Sequence, residues 1–478
     1  MENKNVNTIS EPSNNPLGSA PVASLIRKFA IPSIISMLVS AAYNITDQIF
    51  IGQVVGMLGN AATNVAFPTV MLTTALSQLI GVGTAANFNI KMGAKKPDEA
   101  SRFIGTGIAL LSICGPLLMI FVLLLKTPIL LLCGATERVL PLAQLYLGIT
   151  AIGLPFLLFT HAGSNLIRAD GSPTYSMIAT ATGAVLNVFL DWLFMFVFKW
   201  GIQGAAAATV IGQIVSFSIC VRYFPHFKTF KIKAAMLRVK LKDTLEIVKL
   251  GTSNFINHSI MMLVNIVMNN TLTHYGALTV YGSDIPLAVS GVVAKLNSVM
   301  AAFCVGLAQG CQPIHSFNMG AKNYARIKET YKKAVVAALI ISILAFLSFQ
   351  IFPRQIISIF GSGDELYYEF AERYLRIFMM MVCVYGVQPL TVNFFTAIGD
   401  AKRGIMLSLS RQGFFLIPLL ITLPMLFGLN GVLYSGPIAD ALACILSLLL
   451  VTRNFKRLTA LQQQQLSASG SVFINSLR

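Results

Sequence analysis

Two polar residues interrupt the apolar run Ala184–Phe196 and sit four positions apart: Asn187 and Asp191. On a helix that spacing stacks both side chains on one face, about one turn apart. Only about three of the 18 acidic residues fall deep inside apolar segments: Asp47, Asp191 and Asp440. A carboxylate in a bilayer costs roughly 2.5–3.5 kcal/mol on insertion scales, so it marks function by default and asks for a partner. Two carboxylates at one depth in a low dielectric repel, and a proton or a Na⁺ ion held by Asp, Asn and Thr oxygens relieves that repulsion. The plainer alternative is a buried carboxyl paired with a neighbouring helix. Two cations, Lys295 and Arg411, also lie inside apolar segments. Arg411 and Asp440 are candidates for a structural ion pair.

The elements that hold these residues follow from composition. The chain has 478 residues, 55% hydrophobic and 11% charged, with a mean hydropathy of +0.72. That profile belongs to a polytopic membrane protein. Apolar segments of spanning length recur about twelve times, near 29–51, 61–87, 103–125, 140–167, 175–198, 203–223, 250–272, 284–312, 332–353, 373–397, 404–427 and 431–452. The net charge of +17 does not point to nucleic acid, because Lys and Arg punctuate alternate connections. Arg27 and Lys28, Lys91 to Arg102, Arg222 to Lys249 and Lys322 to Lys333 fall on one side, whereas the 1–2, 7–8 and 11–12 connections carry none. Both termini are therefore expected in the cytoplasm, with the chain in the cell (inner or plasma) membrane as a monomer. The polar N-terminus lacks the basic start and apolar core of a signal peptide. The seven cysteines show no CxxC or Cys/His spacing, so neither disulfides nor a metal centre is indicated beyond a possible Na⁺ at the carboxylates. No GxxxxGK[ST] motif appears, so ATP is not the direct driver and no cofactor is expected. The connections hold no catalytic His/Asp cluster, which argues against a membrane-embedded transferase.

The chain repeats itself. Met92-Gly-Ala-Lys95 matches Met319-Gly-Ala-Lys322, and at nearly the same offset Gly83 meets Gly310, Gly171 meets Gly399, and Tyr146-Leu147 meets Tyr374-Leu375. Two halves of six spans share one topology, so their pseudo-two-fold axis runs along the membrane normal. The expected fold is all-α: twelve transmembrane helices in two six-helix bundles with a cleft between them. The divisions are a disordered lead (1–23), an N-lobe (24–223), a basic linker (224–249), a C-lobe (250–457) and a polar tail (458–478) with no assigned structure. Cleft candidates are Tyr43, Asn257, Met261, Lys295 and Met300. Met-rich surfaces suit adaptable pockets, although in a bundle Met is more often ordinary packing.

These features together resemble the multidrug and toxic compound extrusion (MATE) family, in its DinF/MepA-like branch. The resemblance spans about residues 22–457. It rests on the MGAK loops, on Pro32…Tyr43-Asn-Ile-Thr-Asp47…Gly52, and on Asn187-xxx-Asp191 followed by GIQGAAAATV at 201–210. It implies export of amphipathic or cationic, drug-like small molecules in exchange for H⁺ or Na⁺, with no enzymatic activity. It implies a cation-coupling site at Asp47, Asn187, Asp191 and Thr209, and a first helix that bends at Pro32. A lipid-linked oligosaccharide flippase of the same superfamily is the alternative, kept open by Lys295 and Arg411. The acidic site that another branch carries in spans 7 and 10 is absent: span 7 offers Asn254, Asn257 and His258.

The topology is directly testable. Single cysteines replacing Lys95, Phe230 or Ala325 are expected to label only from the cytoplasm, and those replacing Met57 or Leu429 only from outside. Reversed accessibility contradicts the orientation.

Overall fold

The structure is a computed structural model and describes residues 15–232, 236–359 and 364–476. Among them twelve long helices follow one another: α1 (Val22–Val54), α2 (Met57–Gly93), α3 (Pro97–Leu124), α4 (Leu140–Ala169), α5 (Pro173–Val197), α6 (Ile202–Tyr223), α7 (Leu241–Gly276), α8 (Asp284–Gly320), α9 (Tyr324–Ile351), α10 (Glu365–Ala397), α11 (Ala401–Phe427) and α12 (Leu429–Ser476). Eleven are long and apolar enough to cross a membrane. The exception, α7, has the length, but Asn254, Asn257, His258, Asn265, Asn269 and Asn270 lower its hydropathy. Leu117, Leu124, Leu344 and Leu426 lie more than half exposed on the outer surface. Only a bilayer covers so apolar a surface without cost.

Local chemistry sets the helix ends. Pro97 and Pro173 open α3 and α5 where a missing N–H costs nothing. Asp364 and Asp400 cap the starts of α10 and α11 through Tyr367 N–H and Arg403 N–H. The internal repeat reaches the backbone. Lys95 and Lys322, at equivalent places in the two MGAK loops, have φ of +60° and +56°, and Gly171 and Gly399 both have φ of +85°.

Helices α1–α6 form one lobe and α7–α12 the other. Within its own lobe α1 packs on α5, and it also crosses to pack on α8. Helix α7 packs on α11 and crosses to α2, so the two arrangements exchange under the two-fold. Glycines let the lobes meet. A Cβ on Gly93 would lie 1.9 Å from the Phe317 carbonyl oxygen, and one on Gly320 1.9 Å from that of Ile90. Gly83 meets Ile247, Gly251 meets Leu79, Gly306 meets Ile34 and Gly310 meets Ala30. All these contacts lie in the half of the molecule that carries both chain ends. There, residues 81–89 of α2 and 306–318 of α8 are buried on every side, whereas their opposite halves keep partly exposed faces. The lobes are closed at this terminal end and open at the far end.

Both ends of the chain depart from the sequence-based expectation. Of the lead expected to be disordered, residues 1–14 lie outside the described residues. Pro16–Ser19 form a helical turn and α1 starts at Val22. Leu17 is buried there, and its carbonyl accepts a 2.9 Å hydrogen bond from Asn318 Nδ2. The polar tail continues α12 as helix to Ser476, with Lys328 Nζ donating to Thr459 Oγ1 at 3.0 Å. Gln, Leu and Ala are good helix formers, and polarity alone does not end a helix.

In the C-lobe, α11 widens into a π-helix over Ser410–Leu416 that carries Arg411. Its Nε donates to Asp440 Oδ1 of α12 at 2.5 Å, and the guanidinium lies over the Tyr385 ring at 5.1 Å. Removing one member of such a pair strands the other. Arg411→Ala is expected to destabilise the lobe by about 3 kcal/mol, and adding Asp440→Asn to recover part of that loss. Thermal unfolding of the single and double variants checks this; additive losses contradict it.

Candidate functional site

Four N-lobe helices, α1, α4, α5 and α6, enclose a cavity of about 460 Å³, counting the part open to solvent. Ser40, Tyr43, His161, Asn187, Thr209 and Gln213 contribute to its wall. The crossing of α5 and α6 sets its depth. A Cβ on Gly183 would lie 2.5 Å from the Gly212 carbonyl oxygen, and one on Gly212 2.8 Å from that of Gly183. This contact of two small residues lets the backbones touch. One turn after Gly183 on α5 and one turn before Gly212 on α6, Asn187 and Thr209 are brought together.

The Asn187 amide has one orientation that satisfies both of its ends. It donates to Asp191 Oδ2 at 3.2 Å and accepts the Thr209 N–H at 3.1 Å. Turned over, it reaches Thr209 Oγ1 at 3.4 Å but sets its own oxygen against acceptors. The first orientation gives the carboxylate a donor and is the physically favoured one. Tyr146 on α4 reaches the Thr209 side chain.

Asp191 is fully buried at the foot of this arrangement, on the last turn before α5 widens into the π-helix Leu193–Val197. Asp47 comes from α1, and its carboxyl lies within hydrogen-bond reach of that of Asp191. Both residues leave Oδ1 buried with no protein donor. Two acceptor-only groups in contact need a proton or a cation between them. Asp47, Asn187, Asp191 and Thr209 therefore form one cluster in the structure, next to the cavity. Among the described residues no group of three or more His, Cys, Asp or Glu is placed to hold a metal ion.

Pro32 is buried within α1, which stays helical from Val22 to Val54. Of the cleft candidates only Tyr43 lines the cavity. Met300 does not line a cleft: it is 4% exposed and packs in the C-lobe core with Val264, Val293 and Leu296. Asn257 and Met261 are half-buried on α7, and neither lines the cavity. Lys295, on α8, makes no hydrogen bond or ion pair among the described residues.

Several residues here carried no signal in the sequence reading. His161, Gln213 and Ser216 line the cavity. Arg168, at the end of α4, is 4% exposed. Asp170, in the turn after it, accepts hydrogen bonds from Tyr223 Oη, the backbone of Lys228 and Thr229, and the Thr229 hydroxyl, and so ties down the linker. Burial pushes the Asp170 carboxyl above its ordinary range, and these donors pull it back. Tyr146 was visible only as half of a repeated Tyr-Leu pair.

Known proteins share both sequence and architecture with this chain. It is 26% identical over 446 residues, 92% of this chain and 96% of the other, to the multidrug export protein MepA of Staphylococcus aureus strain N315. A multidrug resistance MATE family transporter of the MOP superfamily, solved in its outward-facing conformation, superposes with a TM-score of 0.85 at 20% identity, covering 96% of this chain and 100% of that one. A MATE structure in the bent conformation gives 0.84 at 20% identity, covering 96% and 99%. These likenesses establish the two-lobed fold that the helices describe. The MatE family model matches residues 32–193 and 255–422, both halves of the repeat and both carboxylates of the buried pair. With that match, the chain belongs to the MatE family of multi-pass membrane transporters.

Proposed function

We propose that this protein exports amphipathic or cationic small organic compounds across the plasma membrane in exchange for H⁺ or Na⁺, by alternating access of its two lobes. The observation that carries this reading is the Asp47–Asp191 contact beside the cavity. MepA, the relative named above, is a multidrug export protein, which agrees with it. Among the described residues no Lys or Arg contributes to the cavity wall, and Lys295 and Arg411, which kept the flippase reading open, lie in the other lobe. This favours drug export over a flippase.

The terminal end carries the basic connections and is assigned to the cytoplasm. The conformation is then open to the outside. With both carboxylates ionised and unliganded, their repulsion in a low dielectric favours any rearrangement that admits water or a cation. One bound proton or Na⁺ removes that repulsion and lets α1 pack closely on α5. Asp47 lies on the same helix as Pro32, which lacks the N–H for an i→i−4 bond and so supplies a weak point. Because α1 also packs on α8, a change at Asp47 reaches the lobe interface. A cation that binds one arrangement more tightly shifts the balance by that difference in affinity. The protein works as a monomer, since each lobe pair holds a complete site.

Asp47→Asn and Asp191→Asn are each expected to slow gradient-driven export in proteoliposomes about tenfold or more, a loss of about 1.4 kcal/mol of coupling, with normal expression and melting. Asn187→Ala is expected to cost less, since it removes an oxygen ligand but no charge. Separate H⁺ and Na⁺ gradients identify the ion. Wild-type pumping by both Asp→Asn variants places coupling elsewhere.

A further inference from the structure

We propose that Arg168 is a positioning residue of the transport cycle, a latch that holds the lobes closed at the terminal end through its hydrogen bond to Gln309. Arg168 is the one Lys or Arg among the described residues that is buried. Within its own lobe its guanidinium donates to Asn165 Oδ1 at 2.6 Å and to Ser176 Oγ at 3.4 Å. Its third acceptor is Gln309 Oε1 at 2.9 Å, on α8 of the other lobe. No carboxylate lies within ion-pair distance of it among the described residues.

A buried cation without a counter-ion depends on every acceptor it has. Two of these acceptors travel with Arg168 and one does not. When the lobes part at this end, water enters and takes the place of Gln309, so the guanidinium is solvated in both states. A carboxylate at position 309 would add a full charge to the bond and hold the closed state too firmly for it to release. The neutral amide keeps the two states close in free energy, as a two-state transporter requires.

The latch is wired to the cavity. Asn165 Nδ2 donates to the carbonyl of His161, which lines the cavity, and to Gln78 Oε1 on α2. A change in the cavity wall at His161 moves the residue that orients Arg168. Close by, Gln312 Nε2 donates across the lobes to the Val82 carbonyl at 3.3 Å, and the Gly83, Gly251, Gly306 and Gly310 contacts surround the same region. Packing there supplies closure; Arg102 on α3 meets Asp243 on α7 at 3.7 Å, partly exposed, and Arg168 supplies the buried charged contact.

The inference rests on the alternation of the lobes proposed above, and the test separates the two. Spin labels go on cysteines replacing Lys96 and Lys332, exposed positions of the two lobes at the terminal end, in a background lacking the seven native cysteines. Distances are read by pulsed electron resonance in lipid nanodiscs. Gln309→Leu, which removes the acceptor, is expected to raise the long-distance population about tenfold. Gln309→Glu, which adds a counter-charge, is expected to do the opposite, to raise the melting temperature and to slow export about fivefold or more. Gln309→Glu keeps the test decisive should Gln309→Leu not fold. If wild type alternates with ion and substrate while both variants keep its distance distribution, or shift the same way, the latch is wrong. If wild type keeps one distance under every condition, alternation itself is wrong and the latch falls with it.

Discussion

Two carboxyl groups pressed together inside a helix bundle are the constraint on which this structure depends. Asp47 and Asp191 come from different helices, yet each leaves an oxygen buried without a donor. In water such a contact would cost little, because the charges would be screened and hydrated. Among α1, α5 and α6 it requires a partner with positive charge. The rest of the N-lobe makes that requirement local. Asn187 supplies a donor to Asp191, Thr209 fixes Asn187, and the Gly183–Gly212 crossing fixes Thr209. The π-helix that follows Asp191 departs from regular α geometry at that point, as π-turns commonly do at functional sites.

The bundle connects this site to the lobe interface. Helix α1 belongs to both: it packs on α5 beside the carboxylates and on α8 across the interface. At the terminal end the glycines remove the side chains that would hold α2, α7, α8 and α1 apart, so closure there is a matter of backbone fit. A packed interface of this kind has discrete arrangements rather than a continuum. Among the described residues, Arg168, Gln312 and Asn87 reach neutral acceptors across it, and Arg102 pairs with the Asp243 carboxylate nearer its edge. Among the described residues the far end has no such glycine contacts between the lobes. The molecule therefore presents a ready interface at the terminal end.

Much of this was legible in the sequence, for identifiable reasons. Apolar segments of bilayer length fix the helices, and the shared MGAK and glycine positions give away the duplication; the positive φ of Lys95 and Lys322 shows that it is structural. Asp47 and Asp191 stand out because charge in an apolar run is expensive. The location of the cavity inside one lobe was not legible, because it depends on how α5 crosses α6, and Gly183 and Gly212 are two glycines among 36. Met300 was misjudged because a methionine on an apolar helix does not reveal which face meets the core. Nothing in the sequence marks Arg168 among the 35 Lys and Arg; its burial follows from α2 and α8 extending beyond it. The folded tail was missed because polar composition was taken to mean no structure.

The central claim is that the carboxylate pair binds the coupling ion and that substrate binding alters its hold. The direct measurement is ion release from purified protein on saturation with a transported compound, read as protons in weakly buffered solution and as Na⁺ with an ion-selective probe. The account predicts release of about one H⁺ or one Na⁺ per molecule from wild type, since the pair binds as a unit. It predicts none from the Asp47→Asn, Asp191→Asn double variant when that variant still binds the compound. Equal release from both proteins would contradict it.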